Sequence, residues 1–180
     1  MSELSTTARG TSVLSRAALS RSVGWAVGIV VWCAVAGYVA GRIWMTRWHA
    51  PTGQVVSHVW YPSPWDEGNR AAFKATGWFV LIALPLGLFT GIVAGIAGRG
   101  REITTMVAVL IGTCVFSAVM LAYGVHAAPA DPTAAAKKAA DGTVLLGTLA
   151  HPGIAALAVA PAAALGCLGF IYLLFTRPNT

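Results

Sequence analysis

The run Trp78-Phe79-Val80-Leu81-Ile82-Ala83-Leu84-Pro85-Leu86-Gly87-Leu88-Phe89-Thr90-Gly91-Ile92-Val93-Ala94-Gly95-Ile96-Ala97 contains no charged residue. About 20 apolar residues in a row cross the hydrocarbon of a bilayer as a helix. Lipid offers the backbone no hydrogen-bond partner, so its N–H and C=O groups must pair within the segment, and helix is the form that achieves this. Taken to its polar borders, the span reads Phe73 to Gly98. Three more runs qualify: Val23 to Trp44, Ile103 to Val125 and Gly153 to Phe175. Residues 1–22 and 176–180 read as cytoplasmic tails, and 45–72 and 126–152 as outer loops.

Composition agrees with that reading. Of 180 residues, 57% are hydrophobic and only 10% charged, where soluble chains carry about 25% charged residues. Mean hydropathy is +0.71. These values exclude an ordinary cytosolic enzyme, a disordered chain and a nucleic-acid module. The net charge of +6 reads as topology and contact with anionic lipid. A signal peptide is the rival reading of the first span, with Ala34-Val35-Ala36 as its cleavage pattern. The apolar run continues past that point, whereas signal cores are about 7–15 residues long.

Basic residues flanking the spans divide evenly between the two sides. Arg99 and Arg101, crowded into one short link, and the acidic residues Asp66, Glu67, Asp131 and Asp141 in the opposite loops break the tie. Both termini are expected in the cytoplasm of a bacterial cell, with the protein in its plasma membrane. In the first outer loop, Gln54 to Tyr61 is β-branched and aromatic between proline-bearing turns, and predicts one short strand. In the second, Asp131-Pro132 predicts a helix start, Thr133 to Ala140 a short helix and Thr143 to Leu149 a second strand. The expected fold is an all-α membrane protein: four transmembrane helices with a small extracytoplasmic cap of two short strands plus a short helix.

Small residues recur at four-residue spacing. Gly87, Gly91 and Gly95 line one face of the second span; Gly24 and Gly28, then Cys33, Gly37 and Gly41, line faces of the first; Ala156, Ala160 and Ala164 do so in the fourth. Such faces let membrane helices approach closely. They serve either internal packing or a partner subunit. Pro85 and Pro161 each remove a helix hydrogen bond and predict kinks. With His49 and His126 at a similar offset, they also suggest a duplicated helix-loop-helix unit.

No Asp, Glu, Lys, Arg or His lies at mid-span, which argues against proton-coupled transporters, pumps and voltage sensors. Haem ligation needs histidine at depth, and no phosphate loop is present, so no cofactor is expected. His49, His58, His126 and His151 fall on the outer side and are the candidates for a metal, although their spacing matches no metal motif. Cys33, Cys114 and Cys167 lie in three different spans and read as small buried hydrophobes. Of seven tryptophans, Trp44, Trp48, Trp60, Trp65 and Trp78 cluster with Tyr61 on the outer side. They form either an aromatic belt at headgroup level or a lipid or partner contact.

Ala50-Pro51 after the first span, the Val-rich strand, the stretch Ala72-Phe73-Lys74-Ala75-Thr76-Gly77-Trp78-Phe79 entering a Gly-rich span, and Gly142-Thr143-Val144 before the last helix resemble an uncharacterised family of actinobacterial four-span integral membrane proteins. The resemblance covers most of residues 23–175. It implies the four-span layout and a Gram-positive plasma membrane, and it supplies no catalytic residues. The expected function is non-enzymatic: an accessory or assembly subunit of a larger cell-envelope or respiratory complex. Its expected partners are membrane lipids and a membrane protein, with a homo-oligomer as a further option and no nucleic acid. A component that binds or transports a lipid-like ligand is the alternative, and an outer-face metal-dependent enzyme a weaker one.

Overall fold

The computed structural model describes the backbone of residues 3–175 and the side chains of residues 20–175. The elements are α1 (Glu3–Arg47), β1 (Thr52–Val56), β2 (Val59–Pro62), α2 (Glu67–Ala97), α3 (Glu102–Ala127), α4 (Thr133–Ala136), β3 (Val144–Leu146), α5 (Ile154–Leu157) and α6 (Val159–Phe175). Four segments are long and apolar enough to cross a membrane: Ser20–Arg47, Glu67–Ala97, Glu102–Ala127 and Ile154–Phe175. The segment read as an N-terminal tail is helical from Glu3 and continues into the first span. The expected C-terminal tail, 176–180, lies outside the described residues.

At 1.5 Å per residue, the 31 residues of α2 extend about 46 Å, against about 30 Å of hydrocarbon. At the cap end of α2, Arg70 pairs with Asp66 at 2.6 Å and Lys74 is exposed.

The tightest helix contacts join helices that are not neighbours in the chain. Cys33 meets Gly112, Gly37 meets Phe116 and Trp44 meets Gly124. Both residue numbers rise together, so α1 and α3 run parallel. Likewise Gly87 meets Ala160, Gly91 meets Ala164 and Gly95 meets Ile171, so α2 and α6 run parallel. A Cβ on Gly37 would lie 2.6 Å from the Phe116 carbonyl oxygen, and one on Gly87 2.6 Å from that of Ala160. A Cβ on Gly91 would collide with the Ala164 carbonyl. Backbone therefore meets backbone, which is the dispersion-driven adhesion expected between helices in lipid.

The two prolines act differently. α2 continues as one helix through Pro85. The fourth span is divided at Ala158 into α5 and α6. Pro161 has no N–H to give to the Leu157 carbonyl one turn earlier, and the Ser117 hydroxyl of α3 donates to that carbonyl instead, at 3.0 Å. At the other end of the bundle, the α2–α3 link turns at Gly100, φ +81°. Its Arg99 guanidinium lies 4.0 Å from the centre of the Phe175 ring.

The cap has three strands, not two. The single strand expected over Gln54 to Tyr61 is a hairpin, folded at Ser57 and His58 with φ of 51° and 64°. Both residues are left-handed, as a two-residue type I′ turn requires. β1 is central in the order β2-β1-β3, and both its neighbours are antiparallel. The second expected strand shortens to Val144–Leu146 and the expected helix to Thr133–Ala136. Gly53, Val55 and Gly147 are buried on the inner side, where the Trp60 ring covers Gly53 and Gly147 and its Nε1 donates to the Leu145 carbonyl at 3.2 Å.

Candidate functional site

Two cavities lie side by side at the cap end. The larger, about 820 Å³, runs along α3 past Ala118, Leu121, Ala122 and Val125 to a rim of His126, Asp131, Thr148 and His151. The α3 residues fall at i, i+3, i+4 and i+7, which is one helix face. The smaller, about 430 Å³, lies among the hairpin, α4 and the first turn of α2; His58, Trp60, Gly68, Thr133 and Lys137 line it. Asp131 and Thr148 border both. A cleft with an apolar wall on α3 and a chamber under the cap thus share two polar residues in their walls.

Asp131 organises this junction. Its Oδ1 accepts from the Thr133 backbone N–H at 2.8 Å and from the Thr133 hydroxyl at 2.5 Å. The side-chain bond first, then the backbone bond, holds its carboxyl below the usual carboxylate range. The helix begins at Thr133 as expected, but its N-cap is Pro132, one residue after the Asp131 cap that the sequence predicted. Pro132 and Ala136 are buried beneath α4, while Lys137 and Lys138 are exposed.

The six aromatics expected to share one patch divide among different surroundings. Trp44 is fully buried: its Nε1 donates to the Ala75 carbonyl at 2.9 Å, and its ring meets Phe79 edge-on at 5.2 Å between centres. Trp48 is also buried, with its Nε1 unpaired. Neither belongs to an interfacial belt. Trp60 builds the cap, and Trp78 lies half-buried beneath the Arg47 guanidinium at 5.7 Å. Tyr61 and Trp65 are exposed, Trp65 by 81%. The position of Trp44 was legible: Cys33, Gly37, Gly41 and Trp44 form one helical stripe.

The glycine stripes are internal. Gly37 and Gly41 face α3, and Gly87, Gly91 and Gly95 face α6. Gly24 and Gly28 meet nothing within 4 Å. With Trp25, Trp32 and Phe89 they line an apolar groove of about 340 Å³ between α1 and α2.

His49, His58, His126 and His151 are all exposed. Among the described residues no three His, Cys, Asp or Glu side chains converge as metal ligands. The three cysteines are free: Cys33 is buried, Cys167 intermediate and Cys114 exposed.

The fold and cavities define a helical protein with four helices of membrane-crossing length and a small sheet-bearing cap over an amphipathic cleft. No family model, curated protein or solved structure matches the chain.

Proposed function

We propose that the chain is a non-enzymatic, multi-pass protein of a bacterial plasma membrane, with both termini cytoplasmic, that binds a lipid-like molecule at its outer end. The resemblance to the actinobacterial four-span family is consistent with that setting. The observation that carries the binding reading is the α3 cleft: an apolar wall one helix face wide, ending in a polar rim of His126, Asp131, Thr148 and His151. Its volume falls in the range of small-molecule sites, and its polarity changes along its length as an amphiphile's does. Replacing Ala122 with Trp fills the cleft from an exposed position on its wall. Lipid retained through purification in mild detergent, measured by native mass spectrometry, should then be lost. Unchanged retention refutes the reading. The topology has its own test: cysteines placed singly at Ser57 and Thr133 should label from outside intact cells, and labelling only after permeabilisation overturns it.

The accessory-subunit reading stands second. The stripes that first suggested it pack inside the chain, but the Gly24–Gly28 face remains open beside its aromatic rim. A Gly24→Leu, Gly28→Leu double variant should lose a stoichiometric membrane partner while this chain accumulates normally. An unchanged complex removes this reading.

A further inference from the structure

We propose that the cap chamber receives the headgroup of a zwitterionic phospholipid, with its phosphate toward Lys137 and His58, its amine toward Asp131, and an acyl chain in the α3 cleft. The inference rests on the lipid-binding reading and adds the headgroup class.

Charge complementarity, and the Asp131 and Thr148 walls that the two cavities share, support it. Lys137 and Asp131 both border the chamber, yet the ion pair formed among the described residues joins Arg70 to Asp66. A cation and an anion face one cavity without neutralising each other, so a ligand carrying one charge of each sign suits it. The hydrogen bonds set the polarity of the Asp131 side. Oδ1 is engaged by Thr133, which leaves Oδ2 as an acceptor. The Thr133 hydroxyl has given its proton to Asp131, so toward a ligand it offers only lone pairs. Two acceptors there match an ammonium group. On the other side, the Lys137 ammonium offers three donors and no acceptor, which matches a phosphate. Asp131 and Thr148 border both the chamber and the cleft, and the glycerol backbone would pass over them. A purely anionic headgroup would leave Asp131 facing like charge.

The test uses the full chain in mild detergent, stripped of lipid and then offered phosphatidylethanolamine or phosphatidylglycerol, with bound lipid counted by native mass spectrometry. Phosphatidylethanolamine should be retained about tenfold over phosphatidylglycerol. Lys137→Gln and Asp131→Asn should each reduce that retention about tenfold, as expected for one charge-assisted contact. Asp131→Asn keeps an acceptor for the Thr133 N–H, and slow hydrogen exchange at the Ala136 amide verifies that α4 persists. Glycerophosphoethanolamine, which has the headgroup without the chains, should not displace bound lipid at equal concentration. Equal or greater retention of phosphatidylglycerol, unchanged binding in Lys137→Gln, or displacement by the chainless compound each overturns the inference. Loss of lipid in Ala122→Trp with no headgroup preference would leave cleft binding standing and remove only the zwitterionic assignment. Unaltered lipid in Ala122→Trp would remove both.

Discussion

Gly87→Ala sets two effects of a single methyl group against each other. The added carbon would lie 2.6 Å from the Ala160 carbonyl oxygen and 3.0 Å from its Cα, where ordinary contact begins at 3.4 Å. Backbone atoms cannot turn aside, so α2 and α6 must separate by roughly 0.8 Å, a gap that forfeits about a quarter to a half of each dispersion contact along the seam. Overpacking of this kind costs about 1–3 kcal/mol. Opposing it, alanine favours helix over glycine by about 1 kcal/mol. The net expectation is a loss of about 0–2 kcal/mol, and Gly91→Ala, which collides more closely, should lose at least as much. Gly28→Ala isolates the opposing effect, because a Cβ there meets nothing within 4 Å; it should be neutral or stabilising by up to about 1 kcal/mol. Unfolding in mixed micelles, titrated with a denaturing detergent and followed by far-ultraviolet circular dichroism, ranks the three variants. Gly87→Ala proving as stable as Gly28→Ala would refute the parallel α2–α6 seam.

Ser117→Ala should cost about 1–2 kcal/mol by stranding the Leu157 carbonyl, and most of that cost should vanish in a Pro161→Ala background, measured as a double-mutant cycle by the same titration. Ser57→Asn with His58→Gly, the residues a type I′ turn prefers, should stabilise the hairpin by about 1 kcal/mol; slower amide exchange at Gln54 and Tyr61, which face each other across the hairpin, is the readout, and faster exchange contradicts the turn assignment. Asp131 has its folded value lowered by Thr133, so its stabilisation of α4 is complete above the unfolded carboxylate value, about 3.9, and is lost as pH falls through the lowered folded value. Amide exchange near Ala136, corrected for intrinsic rate, should show that acid loosening in the wild type and not in Asp131→Asn.

The four spans were legible because hydropathy over a bilayer-length window depends only on the chain itself. The hairpin was not, since Ser57-His58 lacks the Asn-Gly or Asp-Gly signature and its flanks share one β-rich composition. The glycine stripes announced close packing, but spacing along one helix does not say which helix fills it. The filled faces, at Gly37–Gly41 and Gly87–Gly95, and the open one, at Gly24–Gly28, look the same in sequence. Tryptophans were assigned by their distance from a span end, which fails for Trp44: its helix face, not its depth, brings it onto Gly124 and Ala75. The cleft was invisible because it is built from distant pieces, α3, the turn at Asp131 and the segment around Thr148. Only the Asp131-Pro132 helix start, a local signal, pointed to its rim.

Parallel pairing dictates an order of events during synthesis. The Gly37 face of α1 waits for Phe116, roughly 80 residues later, which at 5–20 residues per second takes about 4–16 s. The intervening α2 cannot substitute, since its own glycine face is shaped for α6, which is made last. β1 likewise lacks its β3 partner until the segment between α3 and α5 has emerged. A nascent chain released after α2 would hold two unfilled glycine seams and two of the three strands of its sheet, so the unit that quality control should recognise as finished is the whole bundle and never its first half.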